Sequence, residues 1–160
     1  MKKVITLIVA LAAAVSLSAQ GLDFGMKASA GYSNKGAYVN LSSGIVPMSG
    51  LYAGIGTGFQ YTNYVASFTP ENYHEYAVMV PVFAQLRYSF LKSDVKPFLD
   101  AKVGLMSDFT NKGTGHFFWP EAGVAYKNIG LEFGYQWFMC SYGTDAKGST
   151  PFTIGLTVSF

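Results

Sequence analysis

Apolar residues recur at every second position along most of the chain after residue 22, with polar residues and glycines between them. A period of two is typical of β-strands, because successive side chains of a strand point to opposite faces. The alternation predicts eight strands, at about residues 22–32, 37–46, 51–62, 76–90, 95–108, 115–127, 129–140 and 151–160. The fold class is therefore all-β, and no change of composition marks a second domain.

The two faces of these strands differ in charge. One register per strand gives a face without Asp, Glu, Lys or Arg, whereas the charged residues and many glycines share the opposite face. A lysine or arginine facing lipid at the bilayer midplane costs about 2 to 4 kcal/mol, so an uncharged face suits contact with lipid. The pattern predicts an eight-stranded antiparallel up-and-down transmembrane β-barrel with a polar interior.

The predicted connections alternate in length. Residues 47–50, residues 91–94 and the turn around Lys127 and Asn128 are short, whereas the other connections, at 33–36, 63–75, 109–114 and 141–150, are mostly longer. Outer-membrane barrels have short periplasmic turns and longer extracellular loops. We therefore expect both chain termini on the periplasmic side.

Residues 1–20 have a different pattern. Lys2 and Lys3 precede an apolar stretch that ends near Leu17, and small residues follow up to a cleavage site near Ala19 or Gln20. This order is typical of a secretory signal peptide. We expect a signal peptide at 1–20, a barrel domain at 21–160 and an exported protein.

Composition narrows the class further. Charged residues make up 12% of the chain, against about 25% in soluble domains. The net charge of +2 comes from the two lysines of the signal peptide, so the charge of the remaining chain gives no support for nucleic-acid binding. Its one cysteine, Cys140, has no partner for an internal disulfide. The sequence has neither a zinc-ligand cluster nor a calcium loop, and we expect no metal or other cofactor.

The chain resembles the small outer-membrane β-barrel family, the eight-stranded OmpA and OmpX type, over its whole length. The most specific part is the last strand, which is similar to the family's C-terminal membrane-assembly signal through Phe152, Ile154, Leu156, Val158 and Phe160. A second likeness is the segment 80–88 followed by 96–100, similar to the middle hairpin of members with a proline in the fourth strand. The resemblance implies residence in the bacterial outer membrane, contact with outer-membrane lipid and recognition by the barrel-insertion machinery. We expect a monomer.

The inward face carries charges of both signs, at Asp23, Lys27, Arg87, Asp100, Lys102, Glu121 and Glu132. The interior of an eight-stranded barrel is just wide enough for side chains to fill. These residues are therefore predicted to form a lumen ionic network that plugs the barrel. Conduction is the alternative, which a ring of one sign would favour.

Toward the predicted extracellular end the inward face becomes apolar, with Met79, Phe83, Met106, Phe117, Trp119, Phe138 and Cys140. All but the cysteine are candidates for an apolar ligand pocket, since such sites are apolar with a few polar groups. Packed filler is a second interpretation. A third is a register change at Pro81 and Pro120, with bulges that turn some of these side chains to lipid.

No catalytic constellation is evident. His74 and His116 are the only histidines, and neither has the His-x-Ser pairing of the lipid A deacylase barrels. The glycines of segment 54–58 lack the spacing of a nucleotide loop and are expected to allow close packing in the lumen. We expect a non-enzymatic outer-membrane protein with a plugged lumen and a structural or surface-interaction role. The alternative is a conduit or binding site for a small hydrophobic molecule.

Overall fold

The computed structural model describes residues 23–63, 76–91, 93–143 and 145–160. The predicted signal peptide and most of the long 63–75 connection, including His74, lie outside these residues. Within the described ranges, no helix is long and apolar enough to cross a membrane.

Ten β-strands follow one another along the chain: β1 (Asp23–Ser33), β2 (Gly36–Met48), β3 (Leu51–Asn63), β4 (Tyr76–Ser89), β5 (Val95–Asp108), β6 (Gly113–Tyr126), β7 (Ile129–Tyr135), β8 (Trp137–Tyr142), β9 (Asp145–Ser149) and β10 (Phe152–Ser159). All pairings are antiparallel, and the β1–β10 and β5–β6 pairs close the sheet. β7 and β8 are parts of one barrel strand interrupted at Gln136, and β9 and β10 are parts of the next. The predicted closed eight-stranded antiparallel barrel is confirmed.

The barrel has two distinct ends. β1 begins and β10 finishes at one end, called here the terminal end, and the β1–β2 turn at residues 34–35 lies at the other, the loop end. The prediction of a loop over 141–150 was wrong, because β8 and β9 form a hairpin there with Tyr142 opposite Asp145. β9 is polar and glycine-containing, so its sequence has no apolar alternation to reveal the strand.

Strand pairing also locates the irregularity of the barrel. The ladders run in one register through Pro81, opposite Met106, and through Pro120, opposite Ala101. The register shifts instead between Ile45 and Met48, where Pro47 cannot donate a ladder hydrogen bond.

Side chains alternate between the outer surface and the lumen as the sequence pattern predicts. Outward side chains such as Val103 and Leu156 are more than half exposed, whereas inward ones are mostly buried. Glycines on the inward face leave room for large neighbours. A Cβ at Gly56 would lie 2.6 Å from the Phe83 ring, and one at Gly123 would lie 2.4 Å from the Phe98 ring. The lumen is thus filled by aromatic rings that lean over glycines on adjacent strands.

Candidate functional site

The centre of the lumen holds a buried ionic cluster. Arg87 Nε lies 2.5 Å from Asp100 Oδ2, and its Nη2 lies 2.8 Å from Glu132 Oε2. Lys102 pairs with Glu121 and lies 3.9 Å from Glu132 Oε1. β4, β5, β6 and β7 supply these five residues, and each is at most 4% exposed. Charges removed from water in this way are tolerated only when they are paired.

The cluster is joined to the far wall of the barrel by hydrogen bonds. Tyr52 Oη donates to Ser42 Oγ over 3.1 Å, and Ser42 Oγ donates to Gln85 Oε1 over 2.5 Å. Gln85 Nε2 in turn donates to Asp100 Oδ2 over 2.7 Å. On the other side, Arg87 Nη2 donates to Thr157 Oγ1 over 3.4 Å. Side chains of β2 to β7 and of β10 therefore form one polar layer across the lumen.

Two residues predicted for the ionic network lie apart from this cluster. Asp23 is the first residue of β1 and is exposed, because the strand begins at the open terminal end. Lys27 is half-buried nearer that end, where its Nζ donates to Ser159 Oγ over 2.9 Å and lies 4.7 Å from the centre of the Tyr52 ring. A cavity of about 170 Å³ opens beside Lys27 and Tyr52.

Three carboxylates of the cluster have a spacing that suits a cation. Oxygen atoms of Asp100, Glu121 and Glu132 lie within 4.8 Å of one another, and such oxygen ligands are those that hard cations prefer. In the described arrangement the ammonium of Lys102 and the guanidinium of Arg87 supply the positive charge. The geometry is therefore that of an internal ion-pair network.

Aromatic rings flank the cluster on both sides, with Trp119 toward the loop end and Phe98 toward the terminal end. Lys102 Nζ lies 4.5 Å from the Trp119 ring centre, and Arg87 Cζ lies 3.9 Å from the Phe98 ring centre. Trp119 also packs edge-on against Tyr38 at 4.7 Å and donates from Nε1 to Thr153 Oγ1 over 3.0 Å. Both cation–π contacts and aromatic pairs favour this close layering.

The candidate apolar pocket residues all point into the lumen on the loop-end side of the ionic cluster. They are between 0% and 3% exposed and form one cluster, together with Cys140: Met79, Phe83, Met106, Phe117, Trp119 and Phe138. The Phe83 and Phe117 rings meet edge-on at 6.2 Å. In this arrangement the cluster is packed against itself, so a ligand would have to displace side chains to enter.

The sequence pattern did not indicate the neutral polar residues that cross the lumen. Gln60 and Gln136 form a reciprocal amide pair, with donor–acceptor distances of 2.6 and 2.8 Å, that joins β3 to the break between β7 and β8. Both amides are buried. The sequence did contain a signal for this pair, an amide side chain at an inward position, because a buried polar side chain needs a hydrogen-bond partner.

One histidine belongs to the described residues. His116 lies exposed on the outward face of β6, and its ring contacts Trp137 edge-on at 6.1 Å. Cross-strand aromatic contacts of this kind are ordinary on a β-sheet surface.

The last strand, similar to a membrane-assembly signal, occupies the seam of the barrel. β10 pairs with β1 on one side and with β7 on the other. Four of the five signal side chains lie in the strand, and Phe160 follows it, with backbone hydrogen bonds to Met26 in both directions. The segment therefore closes the barrel.

Comparison with known proteins adds information at the level of fold. No family model matches the chain, and no curated protein matches it by sequence. Among solved structures, the Neisserial surface protein A is similar with a TM-score of 0.51 and 20% identity, over 86% of this chain and 94% of that one. The outer membrane enzyme PagL is similar with a TM-score of 0.54 and 14% identity, over 84% of this chain and 98% of that one.

These two structures show that one barrel architecture serves different roles, since one of them is an enzyme. The structural similarity therefore does not indicate whether this chain has an activity. Over the described residues, the closed sheet, the number of strands and the separation of inward from outward side chains are consistent with this structural similarity. The chain has the fold of the small eight-stranded outer-membrane β-barrels.

Proposed function

We propose that this chain is an integral outer-membrane protein with a plugged lumen and a non-enzymatic, structural or surface-interaction role. The observation that carries the proposal is the continuous buried layer formed by Arg87, Lys102, Glu132 and Trp119. An ion crossing the barrel would have to break buried ion pairs and displace an indole. Both steps are costly in a lumen that side chains already fill.

An even number of strands brings both chain ends to one side of the barrel, and we propose that this side is the periplasm. With the terminal end in the periplasm, the turns at 34–35 and 109–112 and the β8–β9 hairpin face the cell exterior. The lipid-facing outer wall then anchors the protein, and these exterior segments are the surface available to a partner.

Planar-bilayer recording tests the plugged lumen. Purified wild-type protein should give no conductance steps, and Trp119→Ala should introduce them or raise their frequency. Phe118→Ala is the matched control, because Phe118 is the adjacent residue on the lipid-facing side. Steps of reproducible amplitude from wild-type protein in independent preparations would contradict the proposal.

Activity on surface lipid tests the non-enzymatic role. Lipopolysaccharide incubated with the folded barrel should keep its acyl chains, as followed by mass spectrometry of the lipid. Loss of acyl chains that disappears in His116→Ala or His74→Ala would show an enzyme instead.

A second candidate function is a conduit or binding site for a small hydrophobic molecule in the upper lumen, the apolar part near the loop end that the candidate pocket residues fill. It is favoured by the continuity of the apolar cluster and by Met79 and Met106, whose flexible side chains adapt to irregular space. Co-purified lipid or detergent inside the lumen would support it. Unchanged affinity for that molecule after Trp119→Ala would exclude this site.

A further inference from the structure

The ion pairs of the lumen leave half of the carboxylate oxygens without a hydrogen bond. Asp100, Glu121 and Glu132 each place one oxygen against the guanidinium of Arg87 or the ammonium of Lys102. The other oxygen, Oδ1 of Asp100 and Oε1 of both glutamates, is buried and has no hydrogen-bond partner among the described residues. Buried polar atoms are normally hydrogen-bonded, so three such acceptors in one cluster point to a further ligand.

The charges of this cluster do not balance. The side chains of Asp100, Glu121 and Glu132 are fully buried, and their partners are Arg87 and Lys102. With all three carboxylates ionised, three negative charges face two positive ones. A buried charge without compensation is costly. The cluster therefore favours one more positive charge.

Lys27 stands apart from this cluster. Its ammonium donates to Ser159 Oγ over 2.9 Å and lies 4.7 Å from the centre of the Tyr52 ring, toward the terminal end. Among the described residues, Lys27 forms no ion pair with a carboxylate. It is half-buried and borders a cavity. The unbalanced negative charge is therefore local to the three carboxylates.

A buried phenol without a partner lies beside the same carboxylates. Tyr38 of β2 is 3% exposed, and its Oη has no hydrogen-bond partner among the described residues. A Cβ at Gly155 would overlap this Oη, and Gly155 is paired with Glu132 across β10 and β7. The Tyr38 ring also packs against Trp119, whose ring contacts the Lys102 ammonium. The phenol is thus a fourth oxygen directed at the cluster, and it comes from a different strand.

A small monovalent cation suits these oxygens better than the alternatives. Oxygen atoms of Asp100, Glu121 and Glu132 lie within 4.8 Å of one another, and hard cations prefer oxygen ligands. A water molecule would donate hydrogen bonds but leave the charge unbalanced. A proton would balance the charge but form a single hydrogen bond, and a divalent ion would make the cluster positive. A monovalent metal cation balances the charge and contacts several oxygens at once.

We propose that Asp100, Glu121, Glu132 and the Tyr38 hydroxyl bind one small monovalent metal cation, of the size of Na⁺ or Li⁺, inside the lumen. The ion makes the cluster neutral together with Arg87 and Lys102. No sequence motif marks the site, because its ligands come one each from β2, β5, β6 and β7. The site goes beyond the proposed plug, since an ion held in this place neutralises the cluster without crossing the barrel.

Equilibrium dialysis of the folded barrel in an uncharged detergent tests the site, with lithium chloride as the probe and atomic emission as the readout. The protein is folded from urea in the presence of the salt, so that a buried site is filled. Wild-type protein should bind one lithium ion per chain in a saturable manner. Sodium chloride should displace the lithium, whereas choline chloride should not. Absence of saturable lithium binding, or displacement by choline, would overturn the proposal.

Two pairs of variants test the ligands. Glu121→Gln leaves two negative and two positive charges, so it should abolish lithium binding, whereas Asp94→Asn, at an exposed acid, should not. Tyr38→Phe should weaken lithium binding about tenfold, the size expected for one contact to a charged group. Tyr52→Phe is the matched control, because its buried hydroxyl donates to Ser42. Heat-dependent gel migration verifies that each variant is folded. Equal lithium binding by Glu121→Gln and Asp94→Asn would show that the cluster is not the site.

Urea unfolding in two salts of equal ionic strength separates a metal cation from a proton. Wild-type protein should unfold at a higher urea concentration in lithium chloride than in choline chloride, and Glu121→Gln should unfold at the same concentration in both. Equal midpoints for wild-type protein would assign the balancing charge to a proton and contradict the proposal. A midpoint raised by calcium chloride but not by lithium chloride would assign a divalent ion and contradict it as well.

Discussion

Replacement of Arg87 by methionine is expected to destabilise the barrel severely. Arg87 is 3% exposed, pairs with Asp100 at 2.5 Å and with Glu132 at 2.8 Å, and lies over the Phe98 ring. Methionine keeps an apolar side chain in the space but leaves two buried carboxylates without their guanidinium. Removal of one partner from a buried pair costs about 3 to 5 kcal/mol. Because two pairs are lost together, we expect the upper part of that range.

Urea unfolding of the protein in lipid vesicles, followed by tryptophan fluorescence, measures this loss. Lys27→Met is the matched control, because Lys27 is half-buried and its ammonium donates to the Ser159 hydroxyl. Its cost should be about 1 kcal/mol. Adding Asp100→Asn and Glu132→Gln to Arg87→Met removes the stranded charges and should restore more than half of the lost stability. Equal costs for Arg87→Met and Lys27→Met, or no recovery in the combined variant, would refute the ion-pair interpretation.

Three other substitutions test the two faces with the same unfolding measurement. Val103→Arg, on the lipid-facing side, should cost about 2 to 4 kcal/mol, and a cost below that of Val103→Ala would contradict lipid contact. Trp119→Ala should cost about 3 to 5 kcal/mol by leaving a cavity and removing the bond to Thr153; a negligible cost would mean that the upper lumen is not packed. Gly56→Val should destabilise the barrel, since the added atoms meet the Phe83 ring and the Leu41 carbonyl oxygen; stability equal to that of the wild type would contradict the close approach at this glycine.

Alternation made the barrel predictable, because lipid and lumen impose opposite demands on successive residues. A charge at the lipid-facing position of Val103, or a Lys102 side chain turned to lipid, would be costly. The alternation along the strand therefore assigns each side chain to one face. The same logic failed for β9, where Ala146 and Gly148 carry too little hydrophobicity to show a period. Backbone pairing with β8 makes this segment a strand.

The alternation of positions along a strand predicts which face a side chain occupies, but not which residues it contacts. Gln60 and Gln136 are 76 positions apart, and their amide pair depends on barrel closure that no local pattern encodes. Asp23 had the correct parity for the lumen, yet its place at the first residue of β1 leaves it in water. The pairing of Leu156 with Ala30 likewise depends on β10 lying next to β1.

The two tryptophans of the chain allow the most direct test of the central claim, a barrel with lipid outside and packed side chains inside. Trp137 is 47% exposed on the outer face, whereas Trp119 is 1% exposed in the lumen. Single-tryptophan proteins made by Trp119→Phe and Trp137→Phe are folded into vesicles, and fluorescence quenching is measured with brominated lipid and with aqueous iodide. Trp137 should be quenched by the lipid, and Trp119 by neither agent. Strong iodide quenching of Trp119, or lipid quenching of Trp119 without that of Trp137, would contradict the account.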